Sequence, residues 1–107
     1  MEKMKDILTI KQLIHQVIPY KKEIIFFGSR ARENHKEDSD YDILVIVYDR
    51  DPDRKKLAEF QSKIKHLCAR LGMDVDVIVR DRAHADQMKN FPGNIINSAI
   101  QTGIHIQ

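Results

Sequence analysis

An α/β layered domain, with a small mixed β-sheet covered by helices, is the fold class this sequence predicts, and three observations carry that expectation. Ile24 to Phe27, Ile43 to Val47 and Val75 to Val79 are short runs rich in β-branched and aromatic residues, which read as strands. Longer segments around them repeat apolar residues at helical spacing. The two kinds alternate along the chain, the pattern of layered α/β architecture. A length of 107 residues, 1–107, suits one domain with one core.

Taken in order, Met4, Ile7, Leu8, Ile10, Leu13, Ile14, Val17 and Ile18 form one helical stripe that Pro19 stops, with Thr9 as a later alternative N-cap. Lys21 and Lys22 make a turn before a strand from Glu23 to Phe27, whose Ile-Ile-Phe-Phe run suits burial on both faces of a central strand. A short helix is expected from Ser29, carrying Arg30 and Arg32 in its first turn, and Glu33 to Ser39 reads as a polar loop. The second strand runs from Tyr41 to Tyr48. Asp51-Pro52 supplies an N-cap and a first-turn proline for a long helix, with Leu57, Phe60, Ile64, Leu67, Cys68 and Leu71 on one stripe until Gly72 ends it. The third strand spans Asp74 to Arg80, and Asp81 caps a short helix through Met88. Phe91-Pro92-Gly93-Asn94 turns the chain into a last amphipathic helix with Ile95, Ile96, Ala99 and Ile100, capped by Gly103. Ile104 to Ile106 fits a short edge strand.

The stretch from Ile24 to Val47 carries the chemistry. Asp40 and Asp42 stand one residue apart at the mouth of an apolar strand, so their side chains share a face. Two like charges held together there call for a cation between them. Gly28-Ser29 lies upstream, where a glycine lets the backbone turn sharply and a following helix N-terminus offers N–H groups to phosphate oxygens. A Ser-Asp cluster also starts strands by Asx turns, but that explanation leaves the Gly-Ser and a third strand aspartate unaccounted for. Paired carboxylates beside a phosphate cradle point to a metal-dependent nucleotide site. Asp74 and Asp76 compete as a third carboxylate on one face; Asp76 is favoured because its neighbours are apolar and its burial would need a partner.

Gly28-Ser29-Arg30-Ala31-Arg32, the ten residues 30 to 39, Asp40-Tyr41-Asp42 and then Asp76 in Val75-Asp76-Val77-Ile78-Val79 resemble the signature of the DNA polymerase β-like nucleotidyltransferases. Within that superfamily the chain is most similar to minimal nucleotidyltransferase (MNT) domains, often encoded beside HEPN-domain partners. The resemblance covers roughly residues 20 to 80 closely and departs at Glu33, where many relatives have glycine. It implies the nucleotidyltransferase fold, with Asp40, Asp42 and Asp76 as catalytic and metal ligands for two Mg²⁺ ions, Mn²⁺ being an alternative, and ATP as donor. Gly28, Ser29, Arg30 and Arg32 would hold the triphosphate, the guanidinium forks matching its oxygens. It further implies AMP transfer to a tyrosine of a HEPN-domain ribonuclease toxin, the chain acting as antitoxin in a hetero-complex or oligomer. Two rivals stand beside this: transfer to a small molecule or nucleic acid, and a non-catalytic module that neutralises its partner by contact.

Composition narrows the field. A charged fraction of 32% with a net charge of only +2 gives no support to nucleic-acid binding. Lys55, Lys56, Lys63 and Lys65 read as the wet face of the long helix. His15, His35, His66, His84 and His105 have no metal-ligand spacing, and the single Cys68 sits on an apolar stripe as a core residue. Charges at Glu2, Lys3, Lys5 and Asp6 leave no apolar leader, and no run approaches the ~18 apolar residues of a membrane span. A cytoplasmic protein is expected.

Overall fold

The two most apolar strands lie side by side at the centre of the sheet, as their doubly buried composition requires. In the computed structural model, residues 2–28, 41–48 and 53–106 are described. They form helix α1 (Glu2–Val17), strands β1 (Lys22–Phe27) and β2 (Tyr41–Val47), helix α2 (Arg54–Arg70), strand β3 (Val75–Asp81), helices α3 (Arg82–Met88) and α4 (Ile95–Thr102), and strand β4 (Ile104–Ile106). The sheet order is β3-β2-β1-β4. β1 runs antiparallel to both neighbours, whereas β2 and β3 are parallel and therefore need the α2 crossover between them. The sheet is mixed and helix-covered, as expected.

Alternation sorts the strand side chains onto two faces. On one face, Ile24, Phe26, Tyr41, Ile43, Val45, Val75, Val77 and Val79 meet Ile10, Ile14 and Ile18 of α1 and Leu57, Phe60, Ile64 and Cys68 of α2. Ile14 and Ile64 are fully buried there, and truncating either to alanine removes about 2–5 kcal/mol, a large share of a domain's total stability. The other face carries a smaller layer, in which Ile25, Phe27, Leu44 and Ile46 meet Ala85 of α3 and Ile96 and Ala99 of α4. Asp42 and Asp76 belong to this second face, two residues from Leu44 and Ile78 respectively.

Element ends follow their caps. Asp81 accepts from the His84 backbone N–H at 2.7 Å and Asn94 from that of Ile96 at 2.9 Å, so both helices start where the sequence places them. α2 differs: its N-cap is Asp53, whose carboxylate accepts from the Lys56 backbone N–H at 2.8 Å. Asp51 and Pro52 lie outside the described residues. Thr9 is not a cap either, since its hydroxyl donates to the Lys5 carbonyl at 3.0 Å inside a helix that already starts at Glu2. Lys22 belongs to β1 and not to the turn, and β3 lies one residue later than expected at each end. Gly72 ends α2 with φ +80, the left-handed geometry that glycine adopts without a Cβ penalty. The short helix expected from Ser29 and the loop from Glu33 to Ser39 fall outside the described residues.

Candidate active site

The site is built where β1 ends and where β2 and β3 begin. Phe27 of β1 pairs with Asp42 of β2, and Asp42 pairs in turn with Asp76 of β3. Residues in register on neighbouring strands point the same way about 4.8 Å apart, so these carboxylates stand side by side on the second face. The chain turns at Gly28 with φ +82, and the Asp42 side chain lies directly against it. A Cβ on Gly28 would fall 2.9 Å from Asp42 Cγ and 3.0 Å from its Cβ. Glycine is thus required twice over, by the backbone angle and by the carboxylate that fills the space.

Asp42 is half-buried, whereas Asp76 is exposed. The burial expected for Asp76 does not occur, because β3 is an edge strand and this end of the second face extends past the layer formed by Ala85, Ile96 and Ala99. Asp76 is distinguished instead by its pairing opposite Asp42. Asp74 precedes β3, is exposed, and accepts the Tyr41 backbone N–H through its carbonyl at 3.0 Å. Both aspartates line a groove of about 360 Å³ with Lys65, Ala69, Met73 and Val75. Lys65, expected merely on the wet face of α2, therefore shares a groove with these two carboxylates. Asp40, Ser29, Arg30 and Arg32 lie outside the described residues.

One further partner had no signal in the sequence. Tyr41, between the two strand-mouth aspartates, faces the main core and donates its hydroxyl to Asp6 of α1 at 2.7 Å, a contact across 35 residues. Its ring packs on Phe26 with centroids 5.6 Å apart.

Among the described residues no three His, Cys, Asp or Glu side chains gather into a metal-sized group. Asp42 and Asp76 contribute two, and their all-oxygen donor set suits Mg²⁺, which takes one or two carboxylates and fills its remaining positions with water and phosphate. Cys68 is not a nucleophile: burial pushes its thiol up to about 11, and the side chain is fully enclosed. A larger groove of about 590 Å³, lined by Arg54, Gln61, Arg80, His84 and Gln87 among others, lies at the opposite end of β3. Among the described residues its one carboxylate is Asp81, which already caps α3, whereas the Asp42–Asp76 end brings two carboxylates into register.

Residues 5–101 match the family model for the nucleotidyltransferase domain. The chain belongs to that family. A protein of Methanocaldococcus jannaschii named as a protein adenylyltransferase is 38% identical over 92 residues, spanning 80% of this chain and 90% of its own. A second from the same organism, named likewise, is 40% identical over 83 residues, 72% of this chain and 81% of its own. Among solved structures, a Sulfolobus solfataricus protein described as a nucleotidyltransferase superposes with a TM-score of 0.59 at 25% identity, over 80% of this chain and 73% of that one. The MntA–HpeT toxin–antitoxin structure superposes equally well, at 0.59 and 21% identity over 91% and 68%, which shows a shared fold. This nucleotidyltransferase domain is accordingly an enzyme of the nucleotide-transfer class, and its mixed four-stranded sheet is the family's fold.

Proposed function

We propose that this nucleotidyltransferase transfers AMP from ATP to a tyrosine hydroxyl of a HEPN-domain toxin encoded beside it, and so acts as the antitoxin of the pair in the cytoplasm. The observation that carries the reading is the pairing of Asp42 with Asp76 against Gly28 at an open sheet end, in a chain of this family. Names of the curated relatives support a protein acceptor, and the toxin–antitoxin neighbours, one of them described with AMP-PNP, support the toxin and the adenine nucleotide.

In this reading Asp40, Asp42 and Asp76 would hold two Mg²⁺ ions, with Mn²⁺ as a substitute. When bound, such ions neutralise the triphosphate and lower the pKa of an attacking hydroxyl. Asp42 is held by its β1 and β3 neighbours and braced by Gly28, so its oxygens are oriented before nucleotide arrives. The backbone after Gly28, with Ser29, Arg30 and Arg32, binds the phosphates. The tyrosine oxygen attacks the α-phosphorus as the bond to pyrophosphate breaks, and the hydroxyl proton leaves to water.

The test is to incubate the chain, ATP and the adjacent gene product with Mg²⁺ or with EDTA and to read intact masses. One or more AMP additions on the partner are expected with Mg²⁺ alone. An unmodified partner, alongside turnover of a free small molecule, would replace this reading with a small-acceptor nucleotidyltransferase.

A further inference from the structure

We propose that Tyr41 and Asp6 form a clamp, running from α1 through the main core, that positions the Asp42 carboxylate for metal-bound nucleotide; the proposal rests on the nucleotidyltransferase reading above. Tyr41 is the chain neighbour of Asp42, and alternation sends its side chain to the opposite face of β2. It is 3% exposed, and among the described residues three contacts hold it. The hydroxyl donates to Asp6 Oδ2 at 2.7 Å, the ring lies 5.6 Å from that of Phe26, and the backbone N–H donates to the Asp74 carbonyl at 3.0 Å. One residue thus joins α1, β1 and the approach to β3 at the point where β2 begins.

Strand ends are where backbones open most readily, yet a carboxylate that binds metal has to be held within about 0.5 Å. The packing of the ring is a demand of the core that phenylalanine would meet as well. The hydroxyl is not such a demand. It links a buried ring to a carboxylate on a different element, at the short distance of a charge-assisted bond, and fixes the height of β2 relative to α1. A shift of Tyr41 along or across the strand carries Asp42 with it and disturbs its pairing with Asp76.

The experiment uses the full chain and measures, by calorimetry in Mg²⁺, the affinity for the α,β-methylene analogue of ATP, which cannot release pyrophosphate; melting curves run alongside. Tyr41→Phe is expected to melt cooperatively and to bind about tenfold more weakly, equivalent to about 1.4 kcal/mol. Asp6→Ala should lose the same factor, the double variant should lose no more than either single one, and Asp6→Asn, whose amide oxygen still accepts, should recover affinity. A purely structural contact would lower the melting temperature and leave affinity unchanged in whatever remains folded. Unchanged affinity in Tyr41→Phe or in Asp6→Ala, or additive losses in the double variant, overturns the clamp. Wild-type chain that fails to bind the analogue in Mg²⁺ instead overturns the nucleotide reading on which the clamp rests.

Discussion

Replacing Gly28 with alanine perturbs the site through a single methyl group, and the structure separates its two costs. The first is backbone strain: φ +82 is left-handed, where a Cβ costs about 1–2 kcal/mol. The second is displacement. The methyl would lie 2.9 Å from Asp42 Cγ against an ordinary contact of 3.4 Å or more, so the carboxyl carbon has to retreat by at least about 0.5 Å. Rotation about χ1 does not relieve this, because Asp42 Cβ is itself only 3.0 Å away. Misplacing a reacting group by about 1 Å costs on the order of 10²-fold in rate, so a loss of roughly tenfold or more in AMP transfer is expected. Gly72→Ala is the control: φ there is +80, but nothing lies within 4 Å of the added Cβ. Denaturant melts should show both variants destabilised by about 1–2 kcal/mol, while pyrophosphate release falls only in Gly28→Ala. Equal activity in the two folded variants would refute the claim that Asp42 is braced by Gly28.

Two more outcomes are expected from the same geometry. Asp42→Asn and Asp76→Asn should each reduce transfer by roughly 10²-fold or more while the cooperative melt persists, since removing one of two adjacent like charges leaves the packing intact; Asp74→Asn should lose far less. If Asp74→Asn proves the more damaging, the pairing opposite Asp42 does not select the third carboxylate. At the other end of the sheet, burial and then the hydrogen bond to Glu23 push the Tyr48 phenol up from 10.0 to about 12. A raised folded pKa means the folded chain keeps the proton longer. The Tyr48 contribution to stability is therefore complete below pH 10 and is lost as pH rises through about 12. An ultraviolet titration of wild type minus Tyr48→Phe should show tyrosinate forming near pH 12, and a midpoint near 10 would remove the Glu23 bond from the account.

What could be read from the sequence was whatever local chemistry decides. β1 and β2 announced themselves by unbroken apolar runs, and Asp81 and Asn94 announced helix starts because a side chain can reach its own backbone two or three residues on. Asp51, followed by a proline, was the expected cap of α2; the position of the Lys56 N–H shows that Asp53 caps it. Long-range facts left no such trace. The parallel register that sets Asp76 opposite Asp42 depends on the length and tilt of the α2 crossover, and the Tyr41–Asp6 bond joins residues with no local pattern in common. Exposure of Asp76 follows from what fails to cover it, which apolar neighbours in the sequence do not reveal.

That uncovered end also constrains the acceptor. Among the described residues the groove beside Asp76 holds about 360 Å³, near the lower bound of small-molecule sites, and its lining mixes Lys65, Asp74 and Asp76 with Met73, Val75 and Ala69 as apolar surface. A small acceptor would find few groups to bury against and two carboxylates to face. A folded partner brings its own apolar surface and needs from this chain only an open approach to the carboxylates. Among the described residues the short α3 and α4 stop short of the carboxylates: their buried contacts reach Ile25, Phe27, Leu44 and Ile46. Extending either helix across Asp42 would bury two like charges and close the approach at once. In the proposed reading the small second layer leaves room for the partner, and the larger core that α1 and α2 build on the opposite face carries most of the burial.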